Sequence, residues 1–378
     1  MRPDRIMILL FCTILVLFAL LCLLIPQNSF SQTEKRALQP IPKFGFSKLL
    51  SGKFTMEVND WYADQFPLRE GFVALKALSC VLTGQAQNNG VLLGAGDQLA
   101  RWEAGDGSVT DRIDETHLHA ACAGLRRAAE NTDCQTIFLL PARNLDVARS
   151  AFDYPTTSGD RLHAILTEEL SGSPWVDVEP LLCAKYEAGE DVVFRTDHHW
   201  TALGAYYAYC EVLKRFGMED DILPRKAFRE EMITGAFGGT YWARGGMPWV
   251  QKESLTVWYG RDDDSYTVTA DGKPLNGFYT IPQSDPGYEV FLDGTHDFVT
   301  VEKEGETRPN LVIFKDSFAN ALAPFLARHF NLVLLNLSSQ KRDFTNVSRI
   351  AKEYQADAVL VVYSAFNLLS TDTAAKLQ

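Results

Sequence analysis

The chain has 378 residues, 46% of them hydrophobic and 22% charged, and carries a formal net charge of −12. That length and balance describe a folded body with one large or two ordinary cores and leave no case for disorder over most of it. A surface this acidic excludes nucleic acid as a natural partner, since holding phosphates needs a basic face, and it suits anionic lipid headgroups no better.

Arg2 and Arg5 precede a continuous apolar run over 6–25 that stops at Pro26. About 20 such residues are enough to span a bilayer, more than the ~7–15 of a secretory signal, so residues 1–26 read as a cytoplasmic tip and a transmembrane signal anchor. The basic flank puts the N-terminus in the cytoplasm and the remainder on the extracytoplasmic face. Cleavage near Ser29-Phe30-Ser31 is the competing reading. Residues 27–54, polar and interrupted by Pro40 and Pro42, read as a tether, and 55–378 as the folded body. Of seven cysteines, Cys12 and Cys22 lie in the apolar run and the other five are scattered, which reads as buried thiols, with Cys122 and Cys134 the one candidate bridge.

The body opens with an amphipathic helix closing at Phe66-Pro67 and a second helix over 70–82, then a short strand at 90–94 between glycines. A helix over 116–131 precedes an apolar strand at 136–140, and a helix over 159–170 precedes a strand at 175–178. Repeated helix-then-strand units predict a parallel sheet flanked by helices. Apolar residues at 3/4 spacing over 202–216 predict another helix, with Thr201 as its cap. Residues 234–302 break the alternation. Glycines, aromatics and short runs at 255–259, 266–269 and 278–281, with Asp271-Gly272 as a hairpin turn, predict a β-rich insertion serving as a flap or substrate wall. Its Trp242, Trp249 and Trp258 are either a sugar-stacking surface or ordinary packing. Strands at 310–314, 332–335 and 358–363, alternating with helices over 318–329 and 347–354, return to α/β.

Chemistry concentrates at two junctions. In Thr196-Asp197-His198-His199-Trp200-Thr201, an extended backbone places Asp197 and His199 on one face and turns His198 away. A carboxylate bonded to one ring nitrogen fixes the tautomer and leaves the other nitrogen as a base. Two readings compete with it: Asp197, His198 and His199 as metal ligands, and a merely satisfied polar turn. The second junction is Lys315-Asp316-Ser317, between a strand and a helix, where open α/β sheets bind ligands. N–H groups at the helix start can hold an oxyanion while the serine attacks a carbonyl; the plain alternative is a serine that only caps the helix.

Together these motifs resemble the DHHW protein family, a branch similar to the SGNH-like alginate O-acetyltransferases. Segments from Asn59 to Arg69, Leu139 to Arg143, Phe237 to Tyr241 and Phe314 to Asn320 also look like family segments in family order, so the resemblance covers most of 55–370. It implies an SGNH-hydrolase-like catalytic domain over 55–378, with the insertion at 234–302. It implies Ser317 as nucleophile, His199 as base and Asp197 as its orienting group, with His198 lacking a counterpart. Oxyanion or substrate contacts fall to Asn367 or its rival Asn320, and to Trp200 and Arg143. Lys315 stands where the usual nucleophile block has glycine. The resemblance implies neither cofactor nor metal, and it implies a polysaccharide substrate and a membrane-bound O-acyltransferase as partner. An esterase of the same fold and a catalytically silent glycan-binding protein are the alternatives.

Overall fold

The computed structural model describes residues 3–31, 33–85, 87–102, 112–153 and 157–378. They form two compact units, Met1–Asn89 with Trp242–Val250, and Gly90–Tyr241 with Gln251–Gln378.

In the first unit, α1 (Pro3–Leu24) is long and apolar enough to cross a membrane. The stretch read as a tether is structured. Strands β1 (Phe30–Ser31) and β2 (Arg36–Ala37) pair antiparallel, and α2 (Phe46–Leu50) leads into α3 (Lys53–Asp64) and α4 (Arg69–Leu82). Arg36 pairs with its near neighbour Glu34 and, across 28 residues, with Asp64 at 2.5 Å, a contact that no local period announces. The short strand β3 (Gln87–Asn88) ends this part of the chain.

The second unit begins with the hairpin of β4 (Val91–Leu93) and β5 (Leu99–Arg101). There follow α5 (Glu115–Glu130), β6 (Gln135–Leu139), α6 (Asn144–Val147), α7 (Thr157–Glu169), β7 (Trp175–Val176), α8 (Glu179–Glu187) and α9 (Ala202–Phe216). Strand β8 (Arg229–Phe237) pairs antiparallel with β9 (Glu253–Tyr259), and the chain leaves the unit between them within α10 (Thr240–Gly245). The last stretch supplies β10 (Tyr266–Ala270), β11 (Lys273–Pro274), β12 (Phe298–Lys303), β13 (Asn310–Lys315), α11 (Phe318–Leu326), β14 (Asn331–Asn336), α12 (Val347–Glu353), β15 (Ala358–Val362) and α13 (Ala365–Ser370).

One sheet organises the unit, in the order β11-β10-β12-β14-β13-β15-β6-β7. From β14 to β7 neighbours run parallel, as the helix-strand alternation predicts. Strands β12, β10 and β11 are antiparallel, so the sheet is mixed rather than wholly parallel. This divides the expected insertion. Its first part is the β8–β9 ribbon, while β10 to β12 extend the main sheet. Alternation in Tyr266, Val268 and Ala270, all buried, marks a strand with one covered face but does not say which sheet it joins. Residues 278–281 form no strand; Tyr279 only bridges Phe291.

Central strands β13 and β15 are buried on both faces, which accounts for their unbroken apolar runs. On one side Phe138, Val312, Phe314, Val359 and Val361 pack with Leu118, Leu125, Leu162, Ile165 and Ile350 of α5, α7 and α12. Residues of opposite parity, Ile137, Ile313 and Leu360, face the other side, where α9 packs with α11. Cys122 and Cys134 are unbridged, and the cysteines are free thiols.

Candidate active site

Residues 195–199 form a tight bend, not the extended segment expected. Val193 bridges Trp200, and the Phe194 N–H donates to the His199 carbonyl at 3.1 Å. Two side chains from elsewhere hold the bend. Glu253 of β9 accepts from the Arg195 N–H (3.0 Å), the Thr196 N–H (2.7 Å) and the Thr196 hydroxyl (2.5 Å). Asn144 of α6 donates to the carbonyls of Phe194 (2.9 Å) and Asp197 (2.6 Å).

The bend brings Asp197 onto its neighbour's ring. His199 Nδ1 lies 2.6 Å from Asp197 Oδ1, which also accepts the His199 backbone N–H at 3.1 Å, while Asp197 Oδ2 accepts from the Thr240 N–H at 2.7 Å. Burial pushes this carboxyl's pKa up. The charges of His198 and His199, the bond to His199 and the Thr240 N–H together outweigh that and hold it well below the usual carboxylate range. Asp197 therefore stays an anion, keeps a proton on Nδ1, and leaves Nε2 as an acceptor. That nitrogen is 2.6 Å from Ser317 Oγ, so Asp197, His199 and Ser317 form one continuous relay. The imidazole lies flat on the Tyr288 ring, 3.6 Å between centroids at 4°, with Phe318 at 4.9 Å.

His198 does not turn away. Because the backbone bends, its ring sits 3.8 Å from that of His199, with Nδ1 2.9 Å from the Thr240 hydroxyl and 3.6 Å from Asp197 Oδ1. Ligand atoms of Asp197, His198 and His199 lie within 4.8 Å of one another. A metal taking either nitrogen of His199 would have to displace Asp197 from Nδ1 or the serine from Nε2, so these atoms fit a relay better than a coordination sphere.

Ser317 follows β13 and opens α11, yet its hydroxyl makes no capping bond. The capping role belongs to Asp316. Its Oδ1 accepts from the Phe318 N–H (3.0 Å), and Oδ2 from the Ser364 N–H (2.7 Å) and Asn367 Nδ2 (2.8 Å). The Asn367 amide is thus directed at Asp316 rather than at the serine. Asn320 is also committed: its Nδ2 donates to the Gly294 carbonyl (2.9 Å), and its Oδ1 accepts from Lys315 Nζ (2.8 Å). Trp200 is buried and donates to the Phe318 carbonyl at 3.2 Å. Arg143 is buried in a two-pronged pair with Asp146 and also donates to Ser158. Trp200, Asn320 and Asn367 brace the turn that carries Ser317, the described bonds of Arg143 go to Asp146 and Ser158 rather than to the relay, and those of both asparagine amides point elsewhere than Ser317. Lys315, in the place of a glycine, is fully buried, and that burial pushes its ammonium down to about 8.

Sequence reasoning missed Glu253, Asp316, Gly239 and Tyr288. A Cβ on Gly239 would stand 2.3 Å from Asp197 Cβ, so only glycine lets the Thr240 N–H approach. The Phe237-Gly238-Gly239-Thr240-Tyr241 segment carried that signal. Tyr288, in a glycine-bounded turn, carried none.

Fold and site together define the class: an α/β protein presenting a serine, histidine and aspartate in sequence at the carboxyl edge of its sheet. The DHHW protein family matches residues 181–270, the segment holding Asp197 and His199, as the motifs indicated. Among solved structures, a DHHW family protein from Eubacterium siraeum superposes with a TM-score of 0.59 at 21% identity, over 77% of this chain and 95% of that one. Bacillus cereus PatB1, solved with a sulfonyl adduct, gives 0.60 at 17% over 76% and 98%. The O-acetyltransferase domain of Pseudomonas putida AlgJ gives 0.46 at 14% over 75% and 93%, too loose a likeness to bear on function. No curated protein matches the chain. At these identities the likeness is one of fold.

Proposed function

We propose that the chain is a membrane-anchored, extracytoplasmic acyltransferase that O-acetylates a cell-surface or secreted polysaccharide. The observation that carries this reading is the relay from Asp197 through His199 to a serine hydroxyl that does not cap its helix. His199 Nε2 takes the Ser317 proton as Oγ attacks the carbonyl carbon of an acyl donor. The tetrahedral intermediate collapses, the donor's leaving oxygen takes that proton, and an ester remains on Ser317. A glycan hydroxyl then gives its proton to Nε2 and attacks the ester, and Ser317 leaves with the proton restored. With Asn320 and Asn367 engaged elsewhere and the Phe318 N–H held by Asp316, the oxyanion falls to the remaining N–H groups at the start of α11. The partner that brings the acyl group across the membrane is, on this reading, a membrane-bound O-acyltransferase.

The test uses the detergent-solubilised full chain. A sulfonyl fluoride, the chemical class matching the adduct on PatB1, is expected to label Ser317 by intact mass and peptide mapping. Ser317→Ala should abolish labelling and lower acetyl-ester turnover by about three to six orders of magnitude. Labelling elsewhere, or unchanged turnover in the variant, would falsify the assignment. Acetyl transfer to an oligosaccharide supports the transferase; turnover that yields only acetate marks an esterase, and a folded but inert chain marks a glycan-binding protein.

A further inference from the structure

The first unit leaves a broad apolar surface uncovered. On α4, Phe72, Leu75, Leu78 and Leu82 are exposed, the last at 77%, and α2 adds Phe46 and Leu50. Spacings of three and four put the α4 side chains along one face. Proteins in water rarely leave an apolar helix face of this kind open.

The contacts of α1 indicate what covers it. The Phe18 ring stacks on Phe66 at 5.1 Å and 6°, and meets Phe72 edge-on at 6.1 Å. The Gln65 amide grips the backbone of Asn28, accepting from its N–H at 3.2 Å and donating to its carbonyl at 2.9 Å. Phe18 lies six residues before the end of α1 at Leu24, and a helix rises ~1.5 Å per residue, so Phe18 sits ~9 Å inside that end. Half the hydrocarbon thickness of a bilayer is ~15 Å. Rings with centroids 5.1 and 6.1 Å from that of Phe18 differ from it in depth by no more than those distances. The charged groups of this unit are paired with one another: Arg36 with Asp64 and Glu34, and Arg69 with Glu34.

We propose that α4 is a second membrane element, lying in the leaflet where α1 ends with its exposed apolar face against lipid acyl chains. The inference rests on the reading of α1 as a membrane span. The occupant is lipid because the apolar face continues directly from a helix built to stand in lipid, through Phe66 and Phe72 at acyl depth. Such a helix binds in proportion to the apolar area it buries at the interface.

The full chain is reconstituted into phosphatidylethanolamine and phosphatidylglycerol vesicles containing a phosphatidylcholine with a diazirine on its acyl chain. After irradiation, labelled peptides are mapped by mass spectrometry. The expected result is label in both α1 and the 72–82 stretch. A Leu75→Gln, Leu82→Gln double variant should lose most of the label in α4 and keep it in α1, with sulfonyl labelling of Ser317 unchanged as proof of folding. Label confined to α1 overturns the proposal while leaving the anchor intact. An unlabelled α4 that a bifunctional amine-reactive reagent joins to the α4 of a second copy overturns it in favour of self-association. Label in neither helix removes the anchor reading and the proposal with it.

Discussion

His199 is fixed on three sides: Asp197 on one nitrogen, Ser317 on the other, and Tyr288 flat against the ring. Its alignment depends on Gly239, where an added methyl would collide with Asp197. Gly239→Ala should therefore leave the chain folded and cut ester turnover by about a hundredfold, the scale of a small misplacement in a reacting group. Comparing turnover with thermal unfolding of the same sample checks it, and normal turnover would show that the carboxylate tolerates displacement. His198 touches the His199 ring and binds Thr240 without joining the relay. His198→Gln should lower turnover about tenfold or less, while Ser317 remains open to sulfonyl labelling. A loss as complete as that of a His199 variant, together with sensitivity to a metal chelator, would return the argument to metal ligation.

Elements matter here through their ends. Asp316 ties the β13–α11 turn to the start of α13, accepting two backbone N–H groups and the Asn367 amide while 3% exposed. Asp316→Asn puts an NH2 where one of those donors points, and losing charged, buried bonds of this kind costs about 2–4 kcal/mol. We expect that loss in denaturant unfolding, along with slower sulfonyl capture of Ser317; a neutral effect on both would mean the turn holds itself. Where structure depends on neighbours in sequence, it was readable: the 3/4 pattern over 202–216 returns as α9 (Ala202–Phe216), with Thr201 accepting from Gly204 N–H at 3.2 Å. Ser317 at a strand-to-helix junction was readable for the same reason. The bend at 195–199 was not, because Glu253 and Asn144, each more than 50 residues away or at that separation, impose it against the local alternation. Tyr288 was equally hidden, since an aromatic in a turn has no pattern that says what it will stack on.

At the scale of the whole molecule, Lys315 sets a pH dependence. Burial lowers its ammonium to about 8 in the fold, while the unfolded chain holds its proton to the ordinary ~10.4. Between those values the unfolded state binds more protons, so stability rises with pH across the window; below about 8 both states are charged and the full cost of burial is present. Relative to Lys315→Met, the wild-type chain should gain on the order of 3 kcal/mol between pH 7.5 and 10.5. Unfolding of both proteins in detergent at several pH values measures it, and a flat difference would mean the ammonium is solvated. The relay also spans the fold: Ser317 lies 118 residues beyond His199, and the bend that aims His199 needs Glu253 from between them. An incomplete chain holds the imidazole without the alcohol, and a complete but unfolded one holds both without the alignment. The three groups of the relay are thus aligned only by the completed fold, a latency that their separation along the chain supplies by itself.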